Sequence, residues 1–468
     1  MKQLNKHKIL LIFILLIGAF LRLYKLPQLM PFIADQGWFY ISARDMLMGG
    51  GIPLVGITSS HTWLHQGAMW TYILAVILKL FNYNPVAPAV FTALLGVITV
   101  FVVYKLGKEL FSERVGLISA FLFATAPIII ADARMAYHTS SIPLITALLI
   151  LSVYRWLGGK ILYFPLSLFL IALLYNFEIA TFPLSATVFL ITLFGLIKKK
   201  KWMMQAINRK VISVSVLGLI IPMIPMLIYD LGHGFPQTLK FTVWVFYRIA
   251  VFLGYPPLNP NSAGETWTTF GTYTLILIKK LIFLPSLELS MLILTLSFIF
   301  LGALVYHNFK RKEINLSHSL ILVFFFIPAL AYIAAKTNSS AYILIFYPQV
   351  IIVIALLFNK FFEKKALYLS SCVLLIAFGF VNAYTTIRGN FLTGPPFTKR
   401  VEAARFIIKE ANGRPYNILG IGEGSIYESF TMPHEYLTWY LGHGPSEKKE
   451  KLRFYVSEHI DRIDVERK

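Results

Sequence analysis

The chain has one cysteine in 468 residues, and that residue, Cys372, lies inside an apolar run. An intrachain disulfide is therefore excluded, and a thiolate metal site has no second ligand of its kind. Charge is scarce as well: 14% of residues are charged, against about a quarter in an ordinary soluble protein. Acids are scarcest, with 22 Asp and Glu against 43 Lys and Arg. What stands in place of charge is hydrocarbon, at 57% hydrophobic residues and a mean hydropathy of +0.69. Apolar runs long enough to cross a bilayer recur from residue 9 to residue 384 and then stop. The composition describes an all-α polytopic membrane protein.

The net charge of +21 raises nucleic acid as a partner, but its distribution argues against one. The cations cluster in short segments between apolar runs, as the positive-inside bias produces, and no nucleic-acid-binding motif accompanies them. The N-terminal stretch, Lys2, Lys6 and Lys8 followed by ILLIFILLIGAFL, has the form of a secretory signal. It lacks a small-residue cleavage site and runs into Arg22 and Lys25, so it reads as an uncleaved anchor.

Spans are expected at roughly 9–26, 86–105, 115–131, 140–157, 161–176, 178–197, 211–229, 287–306, 317–335, 341–358 and 366–384, about eleven in all. Residues 67–81 are also apolar, but at 1.5 Å per residue they reach only about 22 Å of a roughly 30 Å hydrocarbon core. Charge parity bears on the same question. With eleven spans and a cytoplasmic N-terminus, the inward segments carry 20 Lys and Arg, and everything else before residue 385 carries ten. A further span at 67–81 would turn every later basic segment outward. Residues 67–81 and 238–253 therefore read as interfacial or re-entrant helices.

This topology sorts the acids. Glu109, Glu113, Glu313 and Glu363 fall among inward cations, whereas Asp35, Asp45, Asp132, Glu178, Asp230, Glu265 and Glu288 fall on or near the outer face. The organisation expected is a transmembrane domain over 1–384 with two long outer loops, 27–85 and 230–286, and a small extracytoplasmic α/β domain over 385–468. In that last part KRVEAARFIIKEANG reads as an amphipathic helix with a glycine stop, and PYNILGIG and KLRFYVSE read as strands.

Several outer residues are candidates for chemistry. Asp35, in PFIADQGWFYISARDML, opens a short helix that also carries Arg44 and Asp45. It reads either as that helix's N-cap or as a general base. Asp132 and Arg134, in ADARMAYHTS, stand at the outer end of the third span, either as an interfacial ion pair or as a second catalytic carboxylate beside a phosphate-binding cation. His61 and His65 are four residues apart, the spacing of a helical zinc pair, but no Glu lies between them and Gly67 interrupts the pattern. Phosphate binding, hydrogen bonding or a plain interfacial place are the other readings for them. Tyr137, His138, Asn176 and Glu178 are further polar groups at outer turns, Glu178 as an ordinary loop acid or a sugar contact.

The order of four motifs resembles the GT-C glycosyltransferases, in the branch of the protein O-mannosyltransferases and the lipid A aminoarabinose transferases. ADQGWFYISARDML follows the first span, then HTWLHQGAMWTYILAVILKLF, then VVYKLGKELFSERVG, then APIIIADARMAYHTSSIPL. SAYILIFYPQVIIVIALLF is similar to a late span of that family. The likeness covers residues 8–160 well and 335–384 loosely. It implies a polyprenyl-phosphate sugar as donor, inversion at the anomeric carbon, and Asp35 as the base or as the residue that positions the acceptor. Arg44, His61, His65, Arg134, His138 and Glu178 are the candidates for donor-phosphate or substrate contacts. The pattern departs at Gln36, where a second acid is usual, and at His65, Gln66 and Gly67, where a basic residue and proline are usual. It departs again after Arg134, so that either Asp132 or His138 takes the place of the second-loop acid.

The expectation is a multi-pass enzyme of the plasma membrane, with the N-terminus cytoplasmic and the active site and C-terminus extracytoplasmic. It moves a sugar from a polyprenyl-phosphate donor to the hydroxyl of a lipid, glycan or protein acceptor, among membrane lipids and with no cofactor or metal. Two alternatives are a lipid-linked glycan transporter, which would need polar groups inside several spans, and a non-catalytic scaffold.

Overall fold

The computed structural model describes residues 6–58, 64–255, 271, 287–311, 313, 315–335, 342–389, 394–422 and 424–468. Helices α1 (Lys6–Leu23), α2 (Ala34–Leu47) and α3 (Met69–Leu80) lead into α4 (Ala87–Leu110), α5 (Glu113–Thr125), α6 (Pro127–Arg134) and α7 (Ile142–Leu157). Then come α8 (Tyr163–Phe177), α9 (Phe182–Ile197), α10 (Arg209–His233) and α11 (Pro236–Phe252). The remaining apolar helices are α12 (Leu287–Lys310), α13 (Leu316–Ala335), α14 (Tyr347–Glu363) and α15 (Lys365–Arg388).

Among the described residues, eight helices are long and apolar enough to cross a membrane, and nine if α5 and α6 count as one bent span. The eleven expected spans each meet a helix, but two fall outside that set. Helix α1 carries three cations in 18 residues, and α8 has only 15 residues. Helix α8 has polar partners at both ends. Tyr163 at its start accepts a hydrogen bond from Arg155 (2.7 Å), which pairs with Glu109 at the end of α4 (2.5 Å). Glu178, directly after its last turn, belongs to a polar cluster with His138 and Gln66. That cluster is buried within the helical body. Helix α3 has 12 residues and α11 has 17, and both lie outside the set of membrane-crossing helices.

The body is held by close backbone approach and by two buried arginines. At the crossing of α4 and α5, a Cβ on Gly107 would come within 3.0 Å of the Gly116 Cα, so the helices touch through glycine. Helices α5 and α6 meet at a 63° bend. Pro127 has no N–H to offer the carbonyl of Phe123, and the bend withdraws the next donor from Ala124. The fully buried Arg22 of α1 donates to both, at 3.2 and 3.0 Å. Arg134, at the end of α6, returns the service by donating to the Leu21 and Tyr24 carbonyls at the end of α1.

The C-terminal part has its own small core of Ile407, Ala411, Tyr416, Ile418, Phe454 and Val456. Helix α16 (Phe397–Ala411) precedes a three-stranded sheet of β1 (Asn417–Gly420), β2 (Arg453–Glu458) and β3 (Ile463–Arg467). Strands β1 and β2 are parallel, with Ile418 opposite Phe454, and are joined by the crossover helix α17 (Met432–Tyr440). Strand β3 adds antiparallel to β2. This module sits directly on α2. Tyr436 packs edge-on against Tyr40 (5.1 Å) and donates to the Tyr83 carbonyl (2.7 Å), and Phe397 meets Phe32 (5.7 Å).

Candidate active site

Asp35 is the second residue of α2, not its cap. The cap position is Ile33, whose N–H donates to the Gln36 side chain (2.9 Å), so Gln36 closes the first turn in the manner of a capping box. The sequence reading of Asp35 as the N-cap is therefore corrected: Gln36 does that work. The first-turn position still suits a carboxylate, since the free N–H groups make the helix start electropositive. Its two oxygens are held separately. Tyr137 donates to Oδ2 (3.0 Å), and Ser429, from the turn before α17, donates to Oδ1 (2.9 Å).

From Tyr137 the arrangement continues inward. The Tyr137 and His138 rings lie 4.0 Å apart, and Phe39, one turn along α2 from Asp35, packs against both. His138 Nε2 meets Glu178 Oε2 at 3.1 Å, and the Gln66 amide donates to the same oxygen at 3.1 Å. The Ala180 N–H binds the other carboxylate oxygen (3.1 Å). Burial first, and then the negative charges of Asp35 and Glu178, push the Tyr137 hydroxyl well above its ordinary value of 10, so it remains a proton donor. His138 Nδ1 and Gln66 Oε1 are buried with no hydrogen-bond partner among the described residues. Three of the sequence candidates, Asp35, His138 and Glu178, thus belong to one connected set.

The other candidates lie elsewhere. Asp132 accepts a hydrogen bond from Tyr347 of α14 (2.7 Å). Arg134 is buried against the end of α1, where its guanidinium donates to backbone carbonyls. Arg44 pairs with Asp45 (2.6 Å) and lies over the Trp439 ring (5.1 Å), at the far end of α2 from Asp35. His65 Nδ1 is 3.1 Å from the Gly56 carbonyl, and its N–H donates to Gln237 of α11. His61 lies outside the described residues. Asp230 caps α11, accepting from the N–H groups of Gln237 and Thr238 at 2.7 and 3.0 Å. Among the described residues, no group of three or more His, Cys, Asp or Glu side chains is placed to hold a metal ion.

Ser429 and Gln66 were not legible as members of the Asp35 arrangement, nor was Tyr347 as the partner of Asp132. Ser429 sits in a serine-bearing polar stretch with no motif around it, and only the docking of the module on α2 brings it to Asp35. Gln66 carried a weak signal, as the neighbour of His65 at the point where the family pattern breaks.

A family model described as dolichyl-phosphate-mannose-protein mannosyltransferase matches residues 65–229. Among solved structures, ArnT from Cupriavidus metallidurans, bound to undecaprenyl phosphate, aligns over 96% of this chain and 92% of its own. Identity is 10% and the TM-score 0.58. The chain has the GT-C fold. A second GT-C structure, the apo oligosaccharyltransferase of Archaeoglobus fulgidus, aligns over 93% of this chain at 14% identity and a TM-score of 0.59. The chain spans 64% of that protein's length. Archaeal AglB from the same organism, in complex with an inhibitory peptide and a dolichol-phosphate, aligns at 13% identity and a TM-score of 0.57. It is covered over 63% of its length. No curated protein matches the chain in sequence. At these identities the likeness to the structures is one of fold, and in that GT-C frame α2 and the turn before α7 supply Asp35, Tyr137 and His138.

Proposed function

We propose that the chain is a glycosyltransferase that moves a sugar from a polyprenyl-phosphate donor to an acceptor hydroxyl, with Asp35 as general base. The observation that carries this reading is the carboxylate of Asp35, placed on the first turn of α2 and fixed by one hydroxyl on each oxygen. A base so held has its orientation settled before substrate arrives, which is what proton abstraction from a positioned hydroxyl requires. The acceptor oxygen attacks the anomeric carbon, the carbon–oxygen bond to phosphate breaks with its electron pair leaving on the lipid phosphate, and the proton goes to Asp35. Attack from the face opposite the phosphate inverts the anomeric centre.

The donor class is supported by the two GT-C proteins whose structures hold undecaprenyl phosphate and dolichol-phosphate. The buried cluster of His138, Glu178 and Gln66 offers imidazole, carboxylate and amide groups to a sugar ring. Asp132 is proposed for a supporting role through α14. Arg134, His65 and Arg44 are engaged with backbone or protein partners, and His65 remains the nearest of them to the cluster through Gln66. The proposed place is the plasma membrane, with the N-terminus cytoplasmic and Asp35 and the C-terminal module outside; the step needs no cofactor.

The test is transfer of radiolabelled sugar from a panel of polyprenyl-phosphate hexoses and pentoses by the purified protein, wild type against Asp35→Asn. Removing a general base is expected to lower turnover by roughly 10²-fold or more. Undiminished turnover in the variant would remove Asp35 as the base. No turnover with any donor and acceptor in wild type would favour the scaffold.

A further inference from the structure

A cavity of about 640 Å³ opens between the far end of α2 and the C-terminal module. Its walls include Arg44 and Asp45 from α2, Glu435 and Trp439 from α17, and Ser446 and Glu447 from the segment that follows. That volume is of the size that encloses a small ligand. It is separate from the Asp35 cluster but shares its helix: nine residues from Asp35 to Arg44 span about 14 Å.

The walls are fixed in advance. Asn417 of β1 uses its whole amide to pin the segment after α17, donating to the Ser446 and Lys448 carbonyls (3.0 and 2.9 Å) and accepting from the Glu450 N–H (2.7 Å). Gly444 lets that segment run against Trp439, since even a Cβ there would stand 3.3 Å from the Trp439 Cα. On the other side the Arg44 guanidinium lies over the indole and is held by Asp45. Thr431 donates to one oxygen of Glu435 (2.6 Å) and so orients that carboxylate.

The chemistry of the lining selects a ligand class. In a chain of net charge +21, this cavity carries three carboxylates against a single arginine already paired with one of them. Phosphates and other anions are disfavoured by that balance. Carboxylates are acceptors only, so they suit a ligand rich in hydroxyl donors, and an indole suits the apolar face of a sugar ring. We infer that this cavity is an acceptor subsite for a neutral saccharide, holding the part of the acceptor beyond the hydroxyl that reacts at Asp35. The inference rests on the glycosyltransferase reading for its role in transfer, but binding itself does not depend on catalysis.

The test is equilibrium binding by titration calorimetry, with full-length protein in lipid nanodiscs and no donor present. The probes are neutral trisaccharides of hexose and N-acetylhexosamine units, a uronic-acid trisaccharide and a tri-lysine peptide. Saturable binding of at least one neutral trisaccharide is expected, weakened tenfold or more by Glu435→Gln and by Glu447→Ala, and retained in Asp35→Asn. Glu447 is exposed, so its variant probes the site without disturbing the core. No binding of any neutral probe, or binding of the peptide alone, overturns the inference even where donor turnover is found. Neutral-saccharide binding with the stated losses, in a protein that turns over no donor, leaves the subsite standing and sinks the transferase.

Discussion

Ser429 and Asp35 stand 394 residues apart in the chain and 2.9 Å apart in the fold. The hydroxyl reaches the carboxylate because α17 and its leading turn lie against α2, so the C-terminal module contributes directly to the proposed base. A hydrogen bond to a charged group contributes roughly 1.5–3 kcal/mol. Ser429→Ala is therefore expected to lower kcat by about tenfold or more, with donor KM little changed and Ser429→Thr restoring most of the loss. Steady-state kinetics decide it: a variant that alters only KM, or nothing, would leave Ser429 as packing.

The contact beneath that hydrogen bond is glycine on proline. A Cβ on Gly37 would overlap the backbone of Met432 and Pro433. Gly37→Ala should push α17 away from α2 at a cost of about 1–3 kcal/mol. Limited proteolysis is the readout, with faster cleavage between α15 and α16 than in wild type. An unchanged digestion pattern would mean that the seam is more compliant than its geometry indicates.

The residue type at Gly67 is dictated by α8. Its N–H donates to the Asn176 carbonyl (3.0 Å), and a Cβ would overlap the Asn176 side chain. Gly67→Pro loses the donor and introduces the overlap together, so the substitution should destabilise by roughly 1–3 kcal/mol. A thermal midpoint at or above wild type in detergent would contradict this.

The module carries its own pH dependence. Burial alone would raise the Glu458 carboxyl, but the hydrogen bond from His434 and the charge of Arg400 outweigh it and hold the group below its ordinary value of 4.5. Arg400 binds both carboxylate oxygens, at 3.0 and 2.5 Å. A depressed carboxyl stabilises the fold above its unfolded value and stops doing so as pH falls through its folded value. Wild type should thus exceed Glu458→Gln in stability at neutral pH, with the gap closing as pH drops below about 4.5. Denaturant midpoints at several pH values measure it; a gap independent of pH would assign the contribution to packing.

Much of the body could be read from the chain because hydrocarbon length and the alternation of basic segments are local properties. Each expected span meets a helix, and 67–81 forms a 12-residue helix outside the set long and apolar enough to cross. The acids Glu109 and Glu113 pair with Arg155 and Lys108. The short sheet was partly legible: the amphipathic stretch before it is α16, and PYNILGIG and KLRFYVSE contain β1 and β2. Strand β3 and helix α17 were not anticipated, since IDVER alternates over only five residues with two apolar positions, and MPHEYLTWY is a single short helix whose partners lie in distant parts of the chain.

The sequence by itself determined that this is a polytopic helical protein and that its scarce acids, Asp35 and Glu178 among them, are unevenly placed. Which acid partners which group was decided only by tertiary structure. Arg134 follows Asp132 by two residues and looked like its neighbour in a site. The missing N–H of Pro127 bends the span, and the arginines go to the exposed carbonyls of broken helix ends. Asp35 looked like a cap until Gln36 took that role, and its second hydroxyl came from the far end of the chain. Hydrophobic length is written residue by residue, whereas hydrogen-bond partners are set by where a bend and a docked module leave donors and acceptors facing one another.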